Sequence, residues 1–259
     1  MSKVKLAIQL YTVRDYIQNY TDADKAFRFI KDFGCDAVQI SAIGPIEPEK
    51  VKELVEKYGF DVCVTHKPFV RMQEELDELI DEHLMINCDT IGLGAMDEKY
   101  RSSKESVMEF ISIANKIAAH MGERGCRFAY HNHDFEFKKI DGDKTIMDLL
   151  ISETDPELFT FVPDVAWAQI AGVEPCDFLR RLKGRVKVAH FKDYTFEGER
   201  RRFIELGKGK VDFDAIYKTC LETEIPYVAF EQDIDWTVNA LESCRESFEF
   251  MQRLQSQYE

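Results

Sequence analysis

The sequence predicts one (β/α)8 barrel domain over residues 1–259, and three observations carry that expectation. Short apolar runs alternate with amphipathic helical stretches, at about 25 to 40 residues per unit and in eight units. The runs are apolar nearly throughout, as in parallel strands buried on both faces. Several turn polar at their C-terminal ends, where a parallel barrel opens into its active site. An open doubly wound sheet would show the same alternation, but no glycine-rich phosphate fingerprint supports it.

Residues 4–12 read as the first strand, running into polar groups. Thr21-Asp-Ala-Asp24 starts a helix whose apolar positions Ala26, Phe27, Phe29 and Ile30 lead to Gly34 as the stop. Residues 35–42 are the second strand. Pro48 opens a helix carrying Val51, Leu54 and Val55, and Gly59 closes it. Residues 61–68 form a third strand, 71–84 a helix and 90–94 a short fourth strand. Over 104–124, Val107, Phe110, Ile111, Ala114, Ile117, Ala118 and Met121 recur at three and four, so one helix face is apolar. The fifth strand runs from Arg127 into His131, Asn132, His133 and Asp134. After a turn at 141–143 comes a short helix over 145–152, and the sixth strand ends at Asp164. Residues 175–182 are a helix, and the seventh strand ends in His190, Lys192 and Asp193. Residues 194–210, with Arg200, Arg201 and Arg202, read as an excursion with a polar hairpin. Val211-Asp-Phe-Asp214 starts the next helix, the eighth strand ends in Glu231 and Asp233, and a last helix carries Leu241, Cys244, Phe248, Met251 and Leu254.

Composition narrows the function. The chain is 45% hydrophobic and 32% charged, with 34 basic against 48 acidic residues and a net charge of −14. Without a long basic run, affinity for nucleic acid or for an anionic membrane surface is not expected. There is no signal peptide and no apolar run long enough to span a bilayer. The seven cysteines are spread singly, with no CxxC pair, as reduced core thiols of a cytoplasmic protein would be.

Every second side chain of a strand faces the same way. His131 therefore shares a face with His133, His190 with Lys192, and Glu231 with Asp233. If these are strands five to eight of one barrel, His131, Asp164, His190 and Glu231 converge at its C-terminal mouth. A lone strand-end histidine is more often a hydrogen-bonded core residue than a ligand, and a strand-end aspartate often satisfies loop amides. The joint pattern on four consecutive strands argues for a ligand set. Two imidazoles with two carboxylates suit one borderline divalent ion (manganese, iron, cobalt, nickel or zinc) better than magnesium or calcium. The contiguous His131-Asn-His133 is not the signature of the His-Asn-His nucleases, whose residues are spread over a ββα unit. His83 and His120 fall on helices and read as structural or surface residues. The arginine run reads as a solvated hairpin before it reads as a phosphate site, and Glu136 has no role readable from sequence.

Across nearly its whole length the chain resembles the xylose-isomerase-like TIM barrels, a superfamily of sugar isomerases and epimerases that also includes inosose dehydratase and the endonuclease IV enzymes. The likeness rests on Ala7-Ile-Gln-Leu-Tyr-Thr-Val-Arg-Asp15, Tyr130-His-Asn-His-Asp-Phe-Glu-Phe137, Pro163-Asp-Val-Ala-Trp167, Ala189-His-Phe-Lys-Asp193, Glu205-Leu-Gly-Lys-Gly209 and Phe230-Glu-Gln-Asp233. The family's epimerases hold their metal with Glu, Asp, His and Glu from strands five to eight. Asp164, His190 and Glu231 match the last three, and the first falls on His131, a departure. In those enzymes the two glutamates are also the acid/base pair, so the departure weakens two-base epimerisation. The resemblance implies a metal-dependent carbohydrate isomerase or epimerase working through an enediolate, with a lyase on a keto-sugar, inosose or 3-keto-glycoside as the alternative. Glu231 is then the expected base, and His133 or Lys192 the proton donor. Gln9, Gln39, His66 and Asp233 are expected to hydrogen-bond the sugar, and Tyr11 and Trp167 to wall it. A DNA-repair endonuclease fits an acidic chain poorly, a barrel without metal remains a further reading, and such barrels are commonly homodimers.

Overall fold

Eight strands are parallel in the computed structural model, which describes residues 4–258. They are β1 Lys5–Gln9, β2 Ala37–Ile40, β3 Asp61–His66, β4 Thr90–Leu93, β5 Arg127–His131, β6 Phe159–Val162, β7 Val188–Phe191 and β8 Tyr227–Phe230. They lie in the order β6-β5-β4-β3-β2-β1-β8-β7. Parallel bridges Phe161↔Val186 and Asp164↔His190 join the two ends, and the His190 N–H donates to the Pro163 carbonyl at 2.8 Å. The sheet thus closes into the expected (β/α)8 barrel, and two of the candidate ligands form its seam.

Outward-facing Ile8, Val38, Phe191 and Phe230 pack under one arc of helices, and Ile91, Phe128, Tyr130 and Phe161 under the other. Inside the barrel the residues are small: Ala7, Ala37, Cys63, Val64, Ala129, Val162, Val188 and Ala229 form one apolar layer. One inward step further along each strand the layer becomes polar. Ala7 is followed by Gln9, Ala37 by Gln39, Val64 by His66, Ala129 by His131, Val162 by Asp164, Val188 by His190 and Ala229 by Glu231. On β4 the inward positions are Gly92 and Gly94, which leave room for the His66 ring: a methyl on Gly94 would lie 3.3 Å from its Nδ1. All seven cysteines are buried and free, and no described helix is long and apolar enough to cross a membrane.

Four elements differ from the sequence expectation. The first strand stops at Gln9 and becomes a 3-10 helix, Leu10–Tyr16, because Gln9 Oε1 accepts the Tyr11 N–H and caps it. The helix expected over 71–84 is two, Phe69–Glu74 and Leu76–Met85, broken at Glu75. Arg71 clamps the break by bonding Glu75 at 2.6 Å and Glu82 at 2.9 Å. A helix not anticipated, Val165–Ile170, follows β6 at once, with Asp164 as its N-cap. The turn at 141–143 closes a small hairpin, Lys139–Asp141 with Lys144–Thr145. The excursion after β7 does hold a hairpin, Asp193–Glu197 with Arg200–Ile204.

Two carboxylates tie that excursion down. Asp193 accepts five backbone N–H groups, from Tyr194, Gly207, Gly209, Lys210 and Val211, at 2.8 to 3.2 Å. Glu205 accepts the Ser243 and Thr237 hydroxyls and the Thr237 amide, at 2.7 to 3.1 Å. Gly209 is required by this packing, since a methyl there would lie 2.1 Å from Asp193 Oδ1. Gly209→Ala should therefore lower stability by roughly 2 kcal/mol or more, read as an earlier urea midpoint. An unchanged midpoint would contradict the packing.

Burial pushes the Glu205 carboxyl up, but its three hydrogen bonds outweigh that and hold it at about 2. A carboxyl lower in the folded than in the unfolded chain stabilises above the unfolded value, near 4.3, and loses that contribution as pH falls. The stability gap between the wild type and Glu205→Gln should be on the order of 2 kcal/mol at neutral pH. It should close between about pH 4.3 and pH 2. A pH-independent gap in denaturant titrations would refute this account.

Candidate functional site

The polar layer converges as the strand alternation dictates. One nitrogen or oxygen from each of His131, Asp164, His190 and Glu231 lies within 4.8 Å of every other, and all four residues are buried. His131 Nε2 is 3.6 Å from Asp164 Oδ2 and 3.9 Å from Glu231 Oε2, and His190 Nδ1 is 3.1 Å from Glu231 Oε2. The Lys192 ammonium, 1% exposed, sits beside them at 3.3 Å from Asp164, 2.9 Å from Glu231 and 2.8 Å from Asp233.

Charge in this cluster is unbalanced. Three carboxylates share one ammonium, two of them (Asp164 and Glu231) buried with it and Asp233 partly exposed, an excess of negative charge that is costly without a counter-cation. The groups feel it. Burial disfavours a charge on His131, yet Asp164 and Glu231 raise its pKa nonetheless. Burial also opposes ionisation of Asp164 and Glu231, yet Lys192 holds the first low, and with His190 holds the second well below the ordinary range. Lys192 lies well above its ordinary value, since Asp233, Glu231 and Asp164 outweigh its burial. Asp233 is raised, by burial first and by the Glu231 charge.

The hydrogen bonds suit a cation between the four ligands. His131 Nδ1 lies 3.0 Å from the Gly94 carbonyl and donates to it, so its lone pair is on Nε2. That nitrogen and Asp164 Oδ2 are buried with no hydrogen-bond partner. Asp164 Oδ1 is already used by the Trp167 N–H, and Asn132 Oδ1 accepts the Asp164 N–H at 3.0 Å. His190 Nε2 faces Gln39 Oε1 at 2.8 Å, which leaves Nδ1, 3.1 Å from Glu231 Oε2, as the nitrogen available to an ion. Outer hydrogen bonds that aim lone pairs inward are what a metal-ligating histidine needs. Four N/O donors with two orphaned atoms and an excess of negative charge fit a divalent ion.

Above the cluster lies a cavity of about 370 Å³ lined by Tyr11, Arg14, His66, Gly94, Ala95, His131, His133, Lys192, Glu231, Asp233 and Ile234. Among residues expected to meet substrate, Tyr11, His66 and Asp233 line it. Gln9 and Gln39 do not: both are fully buried, one capping the 3-10 helix and the other held between His66 and His190. Trp167 is carried by the unanticipated helix and stands behind His133, ring centroids 5.4 Å apart. Burial, then the charge of His131, pushes His133 down to about 3, which favours its neutral ring. Arg14 was missed by sequence reasoning. It donates to the carbonyls of Tyr11 and Asp233, joining the loops after β1 and β8, and its place in the first motif was the available signal. Glu136 is buried, accepts the Tyr130 hydroxyl and the His133 N–H, and so fixes the turn bearing His133. Arg200 and Arg202 pair with Asp235 and Glu197, while Arg201 stacks 4.8 Å over Trp167. His83 is a buried structural residue between Thr65 and the Leu79 carbonyl, and His120 pairs with Asp77 at the surface.

Comparison with known proteins agrees with this architecture. Residues 27–254 match the family model described as xylose isomerase-like TIM barrel. Inosose dehydratase of Clostridium botulinum (strain Alaska E43 / Type E3) is 25% identical over 141 residues, 49% of this chain and 46% of that protein; the match thus spans about half the length of this relative. A sugar phosphate isomerase/epimerase from Parabacteroides distasonis superposes with a TM-score of 0.80 at 20% identity, over 97% of this chain and 94% of its own. The probable 3-DHS dehydratase of Bacillus anthracis gives 0.75 at 14%, over 96% and 99%. At these identities the superpositions speak for the fold alone. With the family model covering most of its length, the chain belongs to the xylose isomerase-like TIM barrel family.

Proposed function

We propose that this chain is a divalent-metal-dependent carbohydrate isomerase or epimerase, acting on a small sugar or polyol that bears a carbonyl. The observation that carries the reading is the cluster of His131, Asp164, His190 and Glu231, buried together with ligand atoms within 4.8 Å of one another beneath an open cavity. His131, Asp164, His190 and Glu231 would hold one ion, with manganese, zinc, cobalt and iron suited to such a mixed N/O set. When bound, the ion supplies Lewis-acid stabilisation for negative charge on a substrate carbonyl and its neighbouring hydroxyl.

The chain's own residues would move the proton. Glu231 faces the cavity; its Oε2 meets Lys192 and His190, so Oε1 is available to a C–H beside the carbonyl. Lys192 spans Glu231 and Asp233 at 2.9 and 2.8 Å and keeps both carboxylates on one face. Asp233, raised and partly exposed, is the carboxyl suited to return a proton to oxygen. Besides Glu231 and Asp233, which Lys192 ties together, the cavity lining holds His66, His131 and His133 but no further carboxylate, which favours a proton shuttle on one face over two-base epimerisation. A second reading, elimination of water from a keto-sugar or inosose, is favoured by His131 in the place of a carboxylate and by the partial likeness to inosose dehydratase.

Glu231→Gln should lower turnover by about 10²- to 10⁴-fold, the usual contribution of a positioned acid/base. A fully active variant would remove Glu231 from the role of base. Product mass separates the readings, since isomerisation conserves it and elimination removes one water. In deuterated solvent, a one-face shuttle should retain part of the substrate-derived hydrogen, whereas complete exchange would point to two bases.

A further inference from the structure

Gln39 stands between two imidazoles. Its Oε1 is 2.8 Å from His190 Nε2 and its Nε2 is 2.9 Å from His66 Nε2. One end of an amide accepts and the other donates. His190 Nε2 must therefore carry a hydrogen, and His66 Nε2 must not. The hydrogen of a neutral His66 is then on Nδ1. Beside that nitrogen, at 3.5 Å, lies Gln9 Nε2, itself a donor, because Gln9 Oε1 is used by the Tyr11 N–H. His66 Nδ1 also borders Gly94, and both residues line the cavity. An N–H that meets no acceptor among the described residues is thus presented toward the substrate space.

We infer that Gln39 is a positioning residue that couples the metal-ligating tautomer of His190 to an Nδ1–H donor on His66, aimed at an acceptor oxygen of the substrate such as a carbonyl. The coupling of the two rings through one amide does not rest on the proposed metal centre, whereas which of its two states is populated does. Reversing the amide would move both hydrogens together. Gln39 Oε1 would then accept from His66 Nε2–H, and His190 would carry its hydrogen on Nδ1, pointing at Glu231 Oε2 3.1 Å away. That state has no lone pair for an ion and no donor for the substrate. Gln39 is fully buried, so no water stands in to let one ring change without the other. An ion at His190 Nδ1 selects the first state and thereby arms His66.

Long-range ¹H–¹⁵N NMR of histidine-labelled protein, with and without zinc, reads the tautomers directly. With zinc, the wild type should show hydrogen on His66 Nδ1 and on His190 Nε2; without it, hydrogen on His190 Nδ1, facing Glu231 Oε2 at 3.1 Å, should appear together with hydrogen on His66 Nε2. Gln39→Leu should lose the defined tautomers and bind zinc about 10- to 100-fold more weakly, as for other outer-shell partners of metal ligands. Gln39→Glu accepts from both rings, so it should keep zinc within about tenfold of wild type, below the outer-shell loss, and place a hydrogen on His66 Nε2. Hydrogen on His66 Nε2 in the zinc-bound wild type would overturn the inference, as would wild-type zinc affinity and tautomers in Gln39→Leu. A wild type that binds no zinc would overturn the metal reading instead, and a metal-free spectrum with hydrogen on both His66 Nδ1 and His190 Nδ1 would overturn the coupling.

Discussion

A strand in a closed parallel barrel has only one way to place its side chains: alternately outward to the helices and inward to the axis. Much of this molecule follows from that constraint. The inward layer of alanine, valine and cysteine is thin enough to let the strands close tightly. The next inward layer has nowhere to go but the mouth, so Gln9, Gln39, His66, His131, Asp164, His190 and Glu231 are brought together by alternation alone. The seam passes through this layer, because one of the two bridges between the last neighbouring strands joins Asp164 to His190.

Crowding polar groups at one depth creates an electrostatic problem. Three carboxylates share one ammonium, and Lys192 touches all three. Its surroundings are aromatic as well as anionic, with the Trp167 and Phe203 rings 5.5 and 5.2 Å from Nζ. Lysine is therefore held in place from both sides and remains charged, yet it cannot neutralise the cluster alone. The outer hydrogen bonds that His131 donates to the Gly94 carbonyl and His190 to Gln39 Oε1 add a second asymmetry, leaving the other ring nitrogen of each toward the same space. Charge and lone pairs both call for a cation at one point.

The sequence made much of this legible. Polar ends on four consecutive apolar runs marked His131, Asp164, His190 and Glu231 as neighbours, and the two-residue step linked Lys192 and Asp233 to them. It was less informative where a side chain's partner is remote. Gln39 meets residues 27 and 151 positions away, and no local pattern distinguishes an inward glutamine that braces histidines from one that faces a sugar. The capping role of Gln9 ended its strand early for a similar reason: the side chain turned back on its own backbone. Asp164 was read as a strand end, which obscured its second role as an N-cap and hence the helix that carries Trp167. The positions on β4 were silent because glycine acts there through space left open and a carbonyl offered to His131.

The central claim is that this cluster exists to hold a divalent ion. Elemental analysis of the purified protein, beside the His190→Ala variant, tests it most directly. The account predicts about one transition-metal ion per chain in the wild type and loss of that ion in the variant. A wild type that takes up no ion, even after incubation with manganese, cobalt and zinc, would contradict it.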